Sequence, residues 1–143
     1  MTIEEYIKKR VAECYWNEDL NCATTMLTIL SELHKIQLHK QVIDSAIGMH
    51  GAGGFGAQCG LVEGSLLFIG ILGKEKGLPA EKIIDLCASF AQQFEKKFGS
   101  LLCKQLRPQG FTPDNPPHLC EELTNQAVTF TVEYLGINGY FTI

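Results

Sequence analysis

The chain has 143 residues, with 12 Lys and Arg against 16 Asp and Glu, and a net charge of −4 at neutral pH. This length predicts a single domain, residues 1–143, with its own hydrophobic core. A hydrophobic fraction of 45% is ordinary for a globular protein and argues against disorder. The mild acidity, with a pI near 5.5, excludes the basic surface that binding to nucleic acid or to an anionic membrane requires.

The most apolar segment, residues 64–73, is too short to span a bilayer, which takes about 20 apolar residues. Residues 2–5 include two acids where a secretory signal would have basic and apolar residues. We therefore expect no membrane partner and a location in a reducing cytoplasm. The six cysteines make up about 4% of the chain, below the roughly 8–10% typical of a disulfide scaffold. Their role is therefore core packing, metal binding or redox chemistry.

Apolar residues recur at three- and four-residue steps along most of the chain, which predicts helices and almost no strand. The predicted helices cover about residues 2–14, a segment ending near 36, 37–49, 59–75, 79–98, 101–107 and 117–135. Thr2 and Glu5 form a capping box for the first helix. Either Asn17 or Asn21 can cap the second helix.

The segment His50–Gly56 interrupts this helical pattern, because four glycines in seven residues predict an irregular loop. The helix that follows, at 59–75, is apolar nearly all round and is therefore expected at the centre of the fold. Together these features predict a compact all-α bundle of about six helices with a glycine-rich loop before the fourth.

The cysteines fall into two groups. Four of them lie near predicted helix starts: Cys22, Cys59, Cys103 and Cys120. A helix N-terminus presents free N–H groups and a partial positive charge, which favour the thiolate. Thiolates attack disulfides, bind metals and hold iron–sulfur clusters. We expect Cys59 to be the most reactive thiol, with a depressed pKa, whereas Cys14 and Cys87 are expected to pack as small hydrophobes.

The glycine-rich loop favours a functional interpretation of these thiols. A backbone with few side chains can approach a sulfur or a cluster closely and donate N–H bonds to it. We therefore expect Gly53, Gly54, Gly56 and Gly60 to contribute to cofactor binding. The alternative is a tight connection between two helices, which needs only one or two glycines.

The order of these pieces resembles the family of putative redox-active proteins named for the spaced pattern C…GCAxxG…C…C. The matching pieces span about residues 20–135 and are Asn21-Cys22-Ala23, Gly53-Gly54-Phe55-Gly56, Cys59 to Gly64, Phe98 to Cys103, and Cys120. The sequence departs from the pattern beside Cys59, where Gln58 replaces a glycine and Gly60 replaces an alanine. The resemblance implies that Cys22, Cys59, Cys103 and Cys120 form one redox-active or metal-binding site.

Other cysteine chemistry is excluded by spacing. The sequence has no C-x-x-C pair of the thioredoxin type and no C-x-x-C-H, so it carries no c-type haem. Zinc-finger ligands come in close pairs, whereas these four cysteines are far apart and have to be brought together by folding. Either His50 or His118 could supply the fourth ligand if Cys22 is too far away, although a structural or exposed position is more common for a lone histidine. Glu63 could be a ligand, a base or a paired acid.

These observations favour a small redox protein in which four thiolates hold an iron–sulfur cluster for electron transfer with a partner protein. Reversible thiol–disulfide cycling among the same cysteines is a close alternative. A third possibility is a structural or interaction module whose cysteines hold zinc or merely pack. Whether the protein is an enzyme stays open, because no motif for a hydrolase or a kinase occurs.

The central helix also predicts self-association. It is apolar on all sides, and Gly64, Gly70 and Gly73 leave small-residue patches that another helix can approach closely. The C-terminal segment 139–143 adds aromatic residues. Because large apolar patches usually mark interfaces and two-fold dimers are the most common oligomers, we expect a homodimer with this tail in its interface.

Overall fold

The structure is a computed structural model that describes residues 1–107 and 114–139. Within these ranges the fold is all-α, as predicted, and an isolated antiparallel bridge joins Gln58 to Leu102. The helices are α1 (Ile3–Ala12), α2 (Cys22–Leu33), α3 (Lys40–Ser45), α4 (Gly51–Gly54), α5 (Gly60–Glu75), α6 (Ala80–Phe98), α7 (Cys103–Leu106) and α8 (Glu121–Ile137). A π-helical turn at Glu13–Asn17 follows α1. None of these helices combines the length and apolar character needed to cross a membrane.

The helix starts follow local sequence signals. Thr2 and Glu5 form the predicted capping box, in which each side chain accepts a hydrogen bond from the other residue's backbone N–H. Asn21, and not Asn17, caps α2, since its side-chain oxygen accepts a backbone N–H bond of 3.0 Å. Gly99 ends α6 in the left-handed conformation, with a φ of 93°.

Three predicted helices are shorter than expected. Only residues 40–45 of the predicted 37–49 helix are helical, and turns follow. α7 begins at Cys103 because the preceding Leu102 is extended and pairs with Gln58. α8 begins at Glu121 rather than at 117, because His118 has a φ of +60°, which a right-handed helix does not contain.

Helix α5 lies at the centre of the fold, as its apolar sequence predicts, and packs against α2, α6 and α8. Two of its glycines make this packing possible. A Cβ atom at Gly64 would lie 2.7 Å from the carbonyl oxygen of Ala23 in α2. One at Gly73 would lie 2.6 Å from a side-chain carbon of Ile83 in α6. The position of α5 between these neighbours therefore depends on the absence of side chains at both glycines.

Aromatic rings join α6 to α8. Phe90, Phe94 and Phe98 of α6 meet Phe130 and Tyr134 of α8, with ring centroids 4.5 to 6.0 Å apart across this cluster. Tyr134 also donates a 2.8 Å hydrogen bond to the backbone oxygen of Leu86. Cys87, the residue of α6 that follows Leu86, is half-buried and packs against the core.

A charged network ties the π-helical turn to α1 and α2. Arg10 donates to both carboxylate oxygens of Glu32, at 2.9 and 2.7 Å, and to Glu13 at 2.7 Å. Bidentate arginine–carboxylate pairs of this kind are strong and geometrically specific. The network therefore fixes the turn that contains Cys14 and Tyr15, both of which are buried.

We predict that Gly64→Ala lowers the free energy of unfolding by about 1–3 kcal/mol, because the added methyl group meets backbone atoms of α2 that cannot move away. Gly136→Ala in α8 is the matched control, since a Cβ atom there meets nothing within 4 Å. We expect the control to be neutral or slightly stabilising. Urea denaturation followed by circular dichroism measures both, and equal effects would contradict the packing argument.

A second prediction concerns His34, which stacks on Phe68 with ring centroids 5.2 Å apart. Burial and the charge of Lys76 lower the pKa of His34 to about 4. In the unfolded chain this histidine binds its proton near pH 6.5, so between these two pH values the unfolded state binds more protons. The free energy of unfolding should therefore fall as the pH is lowered from about 6.5 to 4.

His34→Gln removes this titration and should show a weaker dependence on pH over the same window. Urea denaturation of both proteins at pH 7, 5.5 and 4.5 measures the difference. Parallel curves of the free energy of unfolding against pH for the two proteins would show that His34 does not contribute to the pH dependence.

Candidate functional site

The four predicted cysteines all lie at helix starts. Cys22 and Cys103 are the first residues of α2 and α7, and Cys59 and Cys120 directly precede α5 and α8. Cys22, Cys103 and Cys120 line a cavity of about 140 Å³. Cys59 is buried and does not line it, but its N–H donates to the oxygen of Leu101, two residues before Cys103, and the next residue, Gly60, lies against the Sγ of Cys22. The structure therefore brings the four thiols into one neighbourhood.

Backbone pairing fixes Cys59 and Cys103 on opposite sides of one antiparallel bridge. The two residues flank the bridge between Gln58 and Leu102. The N–H of Cys59 donates to the oxygen of Leu101 at 2.8 Å, and the N–H of Cys103 donates to the oxygen of Ala57 at 2.7 Å. The relative position of these two cysteines is thus fixed by main-chain bonds.

Two glycines make room for the sulfurs. A Cβ atom at Gly60 would overlap the Sγ of Cys22, and one at Gly51 would lie 3.1 Å from the Sγ of Cys103. Gly60 was predicted to contribute to the site, and the structure places its backbone against a sulfur. Gly51 was not predicted, although it belongs to the same glycine-rich segment.

The other glycines of the loop shape the backbone. All four residues of α4 (Gly51–Gly54) have positive φ, a conformation that favours glycine, and three of the four are glycines, the exception being Ala52. The N–H groups of Gly53, Gly54 and Gly56 donate to carbonyl oxygens within residues 48–51, at 2.9 to 3.0 Å. These three amides are therefore directed at the backbone and not at a sulfur. Gly54 lines the cavity, and a Cβ atom at Gly53 or Gly54 would meet nothing within 4 Å.

The helix starts supply the sulfur-directed amides instead. The backbone N–H groups of Leu61 and Val62 lower the pKa of Cys59, and that of Ala23 lowers the pKa of Cys22. These amides favour the thiolate, but burial outweighs them. Burial raises the pKa of Cys59 to about 12 and raises that of Cys22 still further above its usual range. The expectation that Cys59 has a depressed pKa is therefore wrong, because the thiol is desolvated.

Arg107 supplies a positive charge on the cavity wall. Burial raises the pKa of both Cys103 and Cys120, whereas the nearby Arg107 guanidinium lowers it. The sequence analysis did not identify Arg107. No local pattern indicated it, because Arg107 follows the end of α7 in an extended backbone conformation.

An aromatic stack forms another part of the wall. The rings of Tyr15 and His118 are stacked with centroids 4.8 Å apart, and Trp16 meets His118 edge-on at 4.9 Å. His118 also bonds through Nε2 to the carboxylate of Asp19 at 3.1 Å. Tyr15 shares a 2.6 Å hydrogen bond with Thr124. His118, one of the two histidines proposed as ligands, therefore lies on the cavity wall in a position fixed by stacking.

The remaining candidates are His50 and Glu63. His50 lines the cavity, and its Nδ1 accepts a 3.2 Å hydrogen bond from the side-chain amide of Asn21. Glu63 does not line the cavity but accepts a hydrogen bond from the side chain of Gln58. Of the three roles considered for Glu63, the structure matches that of a paired acid.

Cys14 and Cys87 do not line the cavity. The charged neighbours of Cys14 are Arg10, Glu18 and Glu32, and its pKa is raised by burial to about 12. All six cysteines are free thiols. Within residues 1–107 and 114–139, no group of three or more Cys, His, Asp or Glu side chains is arranged to hold a metal ion.

Comparison with known families tests the resemblance suggested by the cysteine order. The family model described as "Putative redox-active protein (C_GCAxxG_C_C)" matches residues 20–134. The chain belongs to this family. The match includes all four site cysteines and supports a redox role in general terms. No curated protein and no solved structure shows significant similarity to the chain.

For this C_GCAxxG_C_C protein, the raised pKa of Cys59 predicts slow alkylation. In the reduced, metal-free protein at pH 7.5, iodoacetamide should modify Cys59 more than about tenfold more slowly than in the urea-unfolded chain. The rate should keep rising with pH beyond 10. Peptide mass spectrometry measures the rate at each cysteine, and Cys59 reacting fastest at neutral pH would contradict the burial argument.

Proposed function

We propose that this protein transfers electrons and that Cys22, Cys59, Cys103 and Cys120 together hold an iron–sulfur cluster. The observation that carries the proposal is the convergence of four thiols from the starts of four separate helices, three of them around one cavity. Four cysteine thiolates are the usual ligand set of such clusters. Membership of a redox-active family points in the same direction.

The cavity favours a guest of several atoms over a single ion. Its volume of about 140 Å³ is roughly ten times the space that one water molecule needs. A structural zinc site, by contrast, closes four ligands directly around one ion. The backbone N–H bonds to Cys22 and Cys59 also suit a cluster, since hydrogen bonds to the sulfurs tune its potential.

Each part of the chain then has a definite task. The cysteines would bind the cluster, and a bound cluster supplies one-electron redox chemistry. Arg107 places positive charge beside the ligands Cys103 and Cys120. Tyr15 and His118 line one side of the cavity. Binding requires the buried thiols to lose their protons and their side chains to rotate toward a common point, because no metal-ion group is preformed among the described residues.

Thiol–disulfide cycling is the second candidate. It is favoured by the presence of free, neighbouring thiols without a preformed metal-ion group in the described ranges. Two thiols would form an S–S bond and release two protons and two electrons to an acceptor. The raised pKa values make this oxidation slow unless the site opens, because the thiolate is the reacting form.

A structural or interaction module with zinc-bound or packed cysteines is the remaining alternative, and the burial of the thiols is what favours it. For the redox functions we propose a partner protein as electron donor or acceptor. A reducing cytoplasm would keep the thiols of either redox site available.

The proposal predicts iron and acid-labile sulfide in protein purified without oxygen, together with visible absorbance. Cys103→Ser should lose both, because it removes one ligand. Cys87→Ser is the matched control, since Cys87 is half-buried like Cys103 but lies outside the cavity. It should retain wild-type iron, sulfide and colour.

The other outcomes separate the alternatives. Colourless protein with bound zinc would favour the structural site. Metal-free protein that loses two thiols reversibly on oxidation would favour disulfide cycling. Protein with neither property would leave core packing as the role of the four cysteines.

A further inference from the structure

The homodimer predicted from the apolar sequence of α5 stays a prediction. Of the three glycines expected to admit another helix, Gly64 and Gly73 are closed off by α2 and α6, and a Cβ atom at Gly70 would meet nothing within 4 Å. Residues 140–143, expected in the interface, lie outside the described residues. By contrast, the residues around the cysteine cavity have a charge that indicates the kind of ligand it binds.

The wall of the cavity contains one cationic side chain, that of Arg107, and no acid among the described residues. The other lining residues are three cysteines, two histidines and uncharged residues. Burial raises the pKa of the three lining thiols, so they keep their protons at neutral pH. The groups that line the cavity therefore have a net positive charge at neutral pH.

The acids next to this wall make their contacts outside the cavity. The side chain of Asp19 is 90% exposed and bonds to His118. Glu121 accepts a 2.8 Å hydrogen bond from the indole ring of the π-helical turn. Residues 108–113, which follow Arg107, contain no acid, and Asp114 is exposed. These carboxylates act on the cavity only from its surroundings, where water screens their charge.

Hydrogen-bond donors accompany the positive charge. The Nδ1 of His50 accepts a 3.2 Å bond from the amide of Asn21, which leaves the ring proton on Nε2. The starts of α2 and α8, at Cys22 and Cys120, add the partial positive charge of helix N-termini. A guanidinium has five N–H donors and can bind a carboxylate through two parallel bonds. The wall therefore suits an oxyanion better than a neutral or cationic molecule.

We infer that the cavity binds small molecules that carry a carboxylate or a similar oxyanion, and that Arg107 selects them. The volume of about 140 Å³ restricts the ligand to a small molecule. The ligand would lie beside Cys103 and Cys120, because both thiols line the same cavity as Arg107. For the chemistry of these thiols, the cavity favours anionic reaction partners over neutral ones. The inference goes beyond the proposed cluster, because it concerns the thiols before any metal is bound.

Two alkylating agents of similar size test this selectivity. Iodoacetate and iodoacetamide react with the same thiolate, but only iodoacetate is an anion. The ratio of their rates at one cysteine is independent of the thiolate fraction, so it reports attraction of the anion and not the thiol pKa. In the reduced, metal-free, full-length protein, this ratio should be about fivefold higher at Cys103 than at Cys87, which is half-buried but does not line the cavity. Peptide mass spectrometry measures both rates at each cysteine.

Charge variants assign the effect to Arg107. Arg107→Gln should lower the ratio at Cys103 to the value at Cys87, whereas Arg107→Lys keeps the charge and should keep most of the preference. Lys104→Gln is the matched control, because it removes an exposed cation of α7 that does not line the cavity. A wild-type ratio at Cys103 no higher than at Cys87, a preference that survives Arg107→Gln, or an equal loss in Lys104→Gln would each overturn the inference.

Protection by acetate tests binding in the wild-type protein, without any variant. Sodium acetate should slow the alkylation of Cys103 by iodoacetamide relative to sodium chloride at the same concentration, and it should leave Cys87 unaffected. Protection of both cysteines, or of neither, would contradict an anion site in the cavity. These results are separate from the iron and sulfide measurements, so failure of the anion site would leave the cluster proposal standing, and protein without iron would still permit this test.

Discussion

The close approach of α2 to α5 is the contact on which the site depends. Gly60 and Gly64 lie four residues apart on one face of α5, and a side chain at either would collide with the start of α2. The same contact places Cys22 against the first turn of α5, next to Cys59. Because interiors are packed as tightly as organic crystals, a single methyl group at these glycines would change the position of Cys22 as well as the core.

The balance between burial and hydrogen bonding decides the chemistry of the thiols. Helix-start amides reach the sulfurs of Cys22 and Cys59, as the general physics of helix termini leads one to expect. Desolvation nevertheless has the larger effect and keeps both thiols protonated at neutral pH. The environment that makes a thiol unreactive toward solvent also excludes water from a bound group, so a low reactivity and a redox role are compatible in this fold.

The sequence was sufficient to predict the helical class and the central position of α5, because both depend on local apolar patterns, whereas the shared site of four cysteines was predicted from the family resemblance. Helix starts have recognisable caps, and the order of the cysteines matches a family. Burial of Cys59 was not predictable, since it depends on what the rest of the chain places around it. The same is true of Tyr15 and Arg107, which reach the cavity only through tertiary packing. The late start of α8 follows from the left-handed backbone of His118, which no propensity indicates.

The bridge between Gln58 and Leu102 has a consequence for how the sequence can vary. Its two hydrogen bonds use the N–H groups of Cys59 and Cys103 and the carbonyl groups of Ala57 and Leu101. The side chain at position 58 takes no part in them, so the glutamine that stands where the family pattern has glycine leaves the pairing intact. Residues that are 44 positions apart in the sequence are thus registered by the main chain, and a change of side chain at position 58 leaves the bonds that hold the two cysteines relative to each other unchanged.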